Sequence, residues 1–75
     1  MMGDNMTKDE FCAIVKRVNT QFEPSWLSQP VEDTVLDSLE LMELRSALET
    51  KLGHPIPDSQ WFDSRTLDDL LRGIN

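Results

Sequence analysis

The chain has 75 residues, 39% of them hydrophobic, with one cysteine and a formal charge of −7; it allows one small globular domain with no internal disulfide and no Cys/His zinc cluster. With 14 acids against 7 bases, it is a poor partner for nucleic-acid phosphates or an anionic membrane, and suits docking on basic patches of other proteins. No apolar run approaches the ~18 residues of a membrane span and no secretory pattern opens the chain, so a cytoplasmic location is expected.

Met1 to Met6 carry no period and are expected to be loose. Gly3 follows two methionines and is no myristoylation site, and the Asn5-Met6-Thr7 sequon reads as chance without a secretory signal. Thr7-Lys8-Asp9-Glu10 is a capping box. Phe11, Ile14, Val15, Val18 and Phe22 follow at helical spacing, which predicts a helix over about residues 8–20. Cys12 borders this stripe as a small hydrophobe, with no basic neighbour evident to activate it.

Residues 23–36 form a long connection with Pro24 and Pro30. Loops of that length are usually packed or functional. Trp26, Leu27, Val31, Val35 and Leu36 are expected to anchor it on the helices, with Trp26 in the core.

The second helix starts at Asp37-Ser38-Leu39-Glu40 and stops at Gly53. Gly53-His54-Pro55-Ile56-Pro57-Asp58 is a rigid turn in which Ile56 is a core plug and His54 is solvated. A short helical turn around Ser59 to Ser64 carries Trp61 and Phe62. Thr66 caps a last helix whose buried stripe is Leu67, Leu70, Leu71 and Ile74, with Asp68 and Asp69 in its first turn. No period of two appears. The expectation is an all-α fold: a small four-helix bundle of three longer helices and one short one, in a single domain over 1–75.

The second helix has two apolar faces. At about 100° per residue, with Ser38 at zero, Leu41, Leu44, Leu48 and Leu52 cluster between about 240° and 320° and form the core stripe. Leu39 and Met42 fall near 100° and 40°, roughly opposite, with Ser46 a turn further on and Glu43 and Glu49 flanking. From the wheel alone, this outer face is either a partner-docking surface or part of a wider core.

Asp37 and Ser38 on their own read as an ordinary helix start. A nucleophilic enzyme is a poor reading. Ser38 and the lone His54 flank a helix about 22 Å long, and no glycine-rich elbow surrounds the serine. The calcium-loop pattern is absent as well.

The whole arrangement over residues 37–58 resembles the acyl carrier protein family. The motif stands as Asp37-Ser38-Leu39, followed in register by Glu43-Leu44, Ala47-Leu48-Glu49 and Ile56-Pro57-Asp58. The likeness continues through Thr66 and Leu70-Leu71 to Ile74, while the first helix and long loop agree in layout more than in residues. The resemblance implies a non-catalytic carrier. Ser38 would receive 4′-phosphopantetheine from coenzyme A, transferred by a Mg²⁺-dependent phosphopantetheinyl transferase, with Asp37 and Leu39 recognised by that enzyme. The arm's thiol would hold an acyl or aminoacyl group as a thioester. Partners would be a loading enzyme and condensing, transferase or thioesterase enzymes, docking on Leu39, Met42, Glu43, Ser46 and Glu49. Trp61, Phe62 and Ile56 would contact arm or cargo. A monomer without a metal of its own is expected.

The chain departs from the family at Val35, where glycine is common, and at Ser46, where fatty-acid carriers often place an apolar residue. Arg45, Thr50 and Lys51 make the second helix less acidic than in fatty-acid carriers. These departures point to polyketide or nonribosomal peptide biosynthesis rather than fatty-acid synthesis. The rival class is an unmodified helical docking module.

Overall fold

The computed structural model describes residues 6–75. Helix α1 spans Lys8–Val18, α2 Ser38–Leu52, α3 Asp58–Asp63 and α4 Leu67–Ile74. Two short 3₁₀ turns, Pro24–Ser28 and Val31–Asp33, occupy the connection between α1 and α2. The described residues form an all-α bundle without strands, as the periodicity predicts; the one extended pairing is an isolated bridge between Pro30 and Thr66.

Capping sets the helix ends. Thr7 Oγ1 accepts from Glu10 N at 3.1 Å while the Glu10 carboxylate accepts from Thr7 N at 2.9 Å, closing the expected capping box. α1 ends earlier than the predicted residue 20. Asn19 Oδ1 accepts from Gln21 N at 2.9 Å, a local side-chain bond that competes with another helical turn. Phe22 is buried beyond the helix rather than on its stripe. Gly53 ends α2 with φ +81°, a left-handed conformation that suits glycine because it has no Cβ.

One cluster holds the elements together: Phe11, Ile14 and Val15 of α1, Leu44 and Leu48 of α2, Leu67 and Leu70 of α4, and Phe22, Leu27, Leu36 and Ile56 from the connections. Each large aliphatic buried here contributes roughly 1.5–3 kcal/mol of transfer free energy. The long connection lies on this core, as expected, through Leu27 and Leu36. Trp26 is half-buried and meets Phe22 edge to face at 5.7 Å. Val35 does not anchor the loop: it is 58% exposed, because the adjacent Leu36 takes the inward position.

Met6 is not loose, contrary to the expectation for that position, while the same expectation for residues 1–5 lies outside the described residues. The Met6 side chain joins the core, and its backbone exchanges two hydrogen bonds with the Asn75 side chain. The expectations for Gly3 and Asn5 lie outside the described residues.

Candidate functional site

The start of α2 is built around a division of labour between neighbours. Asp37 is the N-cap: its carboxylate accepts from Glu40 N at 2.8 Å, and Glu40 Oε1 accepts back from Asp37 N at 3.2 Å. Glu40 also accepts from Asn19 Nδ2 at 3.2 Å, which ties the end of α1 to the start of α2. With the cap supplied by Asp37, Ser38 is the first helical residue, exposed, and its hydroxyl has no hydrogen-bond partner among the described residues. It stands at the positive end of the helix dipole, where the first-turn N–H groups lack intrahelical acceptors. That setting suits a phosphate ester.

Leu39 and Met42 are 72% and 68% exposed, so the outer apolar face lies outside the core. Ser46 and Glu43 are exposed beside them. Glu43 also lines a groove between α1 and α2 with Ile14, Arg17, Val18 and Ala47. Glu49, expected on the rim of this face, has an internal role. Its Oε2 accepts from Ile56 N at 2.7 Å and lies 3.4 Å from Arg45 Nε.

Around Trp61 the structure forms a cleft of about 200 Å³, lined by Val31, Leu41, Trp61, Phe62, Ser64, Thr66, Leu67 and Leu70. Trp61 is half-buried in its wall and Phe62, 75% exposed, stands at its mouth. Ile56, expected to contact arm or cargo, does not line this cleft. Its side chain is 2% exposed, because Glu49 and Arg45 hold its N–H and carbonyl and turn the side chain inward between two prolines.

The sequence reading took Arg45 only as a charge that makes α2 less acidic and missed its contacts. Arg45 Nη2 donates to Ile56 O at 2.7 Å and to the Asp58 carboxylate, and its guanidinium lies 5.5 Å from the centroid of the Trp61 ring. The hydrogen bond to Asp58 pushes the Arg45 pKa up, so the charge is permanent. An Arg45/Glu49 pair at i,i+4 was legible on the wheel; its reach to Asp58 and Trp61 depends on the turn that brings α3 back.

Other chemistries find no assembly. Ser38 and His54 lie at opposite ends of α2, and His54 is exposed with Nδ1 3.1 Å from Pro55 O. Burial pushes the Cys12 thiol pKa up, which disfavours a reactive thiolate. Among the described residues no group of three or more His, Cys, Asp and Glu is placed to hold a metal, and no helix is long and apolar enough to cross a membrane.

No curated protein and no solved structure matches the chain. A family described as the phosphopantetheine attachment site matches residues 11–74, a span that runs from within α1 to the end of α4. Its members hold 4′-phosphopantetheine covalently and work with a phosphopantetheinyl transferase and further enzymes. By that match, with a helical bundle that presents a free serine hydroxyl at a capped helix start, the chain belongs to the family of phosphopantetheine-binding carrier proteins.

Proposed function

We propose that Ser38 is the attachment residue of this carrier and that the chain is one monomeric, non-catalytic, cytoplasmic unit. The observation that carries the reading is the free, exposed Ser38 hydroxyl beside an Asp37 carboxylate already committed to the cap. Ser38 Oγ would bond to the phosphorus of the pantetheine phosphate as the phosphorus–oxygen bond to the nucleotide part of coenzyme A breaks, its proton would pass to the transferase, and the nucleotide part would leave. When bound, the arm supplies a terminal thiol that carries an acyl or aminoacyl group as a thioester. The chain's own residues position that anchor. Asp37 and Glu40 fix the helix start, and Leu39, Met42, Glu43 and Ser46 offer the docking face, with Asp37 and Leu39 meeting the transferase. Trp61 and Phe62 line the cleft that faces cargo.

The test is intact-protein mass after incubation with coenzyme A, Mg²⁺ and a promiscuous transferase. A phosphopantetheine gain that disappears in Ser38→Ala is the expected result. A folded protein that gains no mass under several transferases supports the docking-module reading instead.

We read the pathway as polyketide or nonribosomal peptide biosynthesis. Arg45 and Lys51 offset the acids of α2, and Glu49 is drawn inward, so the exposed apolar pair Leu39 and Met42 carries more of the recognition than charge does. The mass of the acylated protein from its native host tests this. A fatty acyl series of increasing length would return the chain to fatty-acid synthesis.

A further inference from the structure

Among the described residues methionine stands in two opposite settings. Met6 is 4% exposed, with its side chain in the core. Met42 is 68% exposed on the outer face of α2, beside Leu39 at 72%. At that exposure its thioether is open to small solutes. Cys12, the other sulfur that a peroxide attacks, is a poorer target. It is half-buried, and burial pushes its thiol pKa up, which lowers the share of reactive thiolate.

Met42 also follows Ser38 by four residues in one helix. Residues at that spacing are neighbours on a helix surface, with Cβ atoms about 5–6 Å apart. An enzyme that brings a phosphate to the Ser38 hydroxyl therefore covers the Met42 side chain as it docks. Methionine suits such a contact because it is unbranched, apolar and adaptable. Its sulfoxide is polar and chiral, and brings an oxygen into a contact shaped for an apolar side chain.

We propose that Met42 is a redox modification site, at which oxidation of the thioether to the sulfoxide weakens docking of the phosphopantetheinyl transferase and reduction restores it. The oxidant is hydrogen peroxide. The sulfur lone pair takes one oxygen as the O–O bond breaks, so that sulfur loses two electrons and the peroxide is reduced to water. A thiol-dependent methionine sulfoxide reductase reverses the step: the oxygen leaves as water and two thiols close to a disulfide. The proposal rests on the reading of Ser38 as the attachment residue and of the outer face of α2 as the docking surface.

The test treats the arm-free protein with hydrogen peroxide and then clears reversible thiol products with dithiothreitol. Trypsin releases residues 18–45, which contain Ser38 and Met42 and no other methionine or cysteine. One peptide therefore reports both the sulfoxide and the arm. Met42 is expected to oxidise before Met6. The kcat/KM for arm transfer from coenzyme A is expected to fall about tenfold, through KM rather than kcat, with an unchanged thermal melt. The two epimer-specific reductases are expected to restore the rate. Met42→Leu, compared with its own untreated rate, is expected to lose the response to peroxide. Met42→Gln, polar from the start, is expected to lie near the oxidised rate.

A sulfoxide at Met42 that leaves transfer unchanged overturns the proposal and leaves the attachment reading standing. A fall in rate that persists in Met42→Leu, or that tracks a lowered melt, does the same. No arm gain at Ser38 in the untreated protein under several transferases overturns the attachment reading and the proposal with it.

Discussion

Asn75 and Met6, 69 positions apart, are joined as a backbone pair would be: the Asn75 amide accepts from Met6 N at 2.8 Å and donates to Met6 O at 3.0 Å. The pair closes the chain beside the core and holds the Met6 side chain in it. Asn75→Ala removes both bonds and releases Met6. It is expected to lower stability by about 1–2 kcal/mol, the weight of two part-buried hydrogen bonds, read from urea denaturation midpoints.

Asp37 and Ser38 are adjacent but should fail in different assays. Asp37→Ala removes the cap bond to Glu40 N and should cost about 1 kcal/mol of stability. Ser38→Ala touches no hydrogen bond among the described residues and should stay within about 0.5 kcal/mol while losing all capacity for the arm. Thermal melts alongside intact mass separate the two. A large stability loss in Ser38→Ala would mean its hydroxyl holds the helix rather than the cofactor.

The outer and inner leucines of α2 offer a contrast within one helix. Leu39→Asp and Met42→Asp sit on exposed positions and should leave stability within about 0.5 kcal/mol while reducing partner turnover. Leu48→Ala, in the core, should cost about 2–5 kcal/mol. Equal stability losses at Leu39 and Leu48 would place Leu39 in a core formed in solution and remove the docking face.

Two carboxylates give the fold an acid dependence of known sign. Glu10 is held below the ordinary carboxylate range by its bond from Thr7 N and by Lys51 at 3.4 Å. Asp69 is held low first by the Arg72 guanidinium, at 2.6 Å, and then by backbone N–H groups. A depressed native pKa means that the unfolded chain takes up protons first as pH falls. The stabilisation is therefore full above the ordinary carboxylate range and is lost as pH drops through it to the native values. Denaturation midpoints followed from neutral to acid pH should fall less steeply in Glu10→Gln and Asp69→Asn. An unchanged slope in both variants would show that other carboxylates drive acid unfolding.

The elements and the Asp37-Ser38-Leu39 motif were readable along the chain because both are local. Thr7-Glu10, Asp37-Glu40 and Thr66 are caps whose partners lie three residues away, and the apolar stripes repeat with the helical turn. The wheel also separated Leu39 and Met42 from Leu44 and Leu48, but it could not say whether another segment covers the outer pair. Only the folded chain leaves that face bare, because nothing from the long connection or α3 reaches far enough to bury Leu39 and Met42.

The contacts of long range had no signature of this kind. Nothing in the spacing of Met6 and Asn75 joins them, and Val35 and Leu36 differ in direction although both are apolar neighbours. Arg45 looks on the wheel like a flanking charge, yet the Gly53–Pro57 turn folds back and hands it Ile56, Asp58 and Trp61 at once. A helical period specifies which side of a rod is apolar. Which segment comes to lie against each side depends on how the turns direct the chain and on how the side chains fill one shared interior, and no single stretch of residues encodes that.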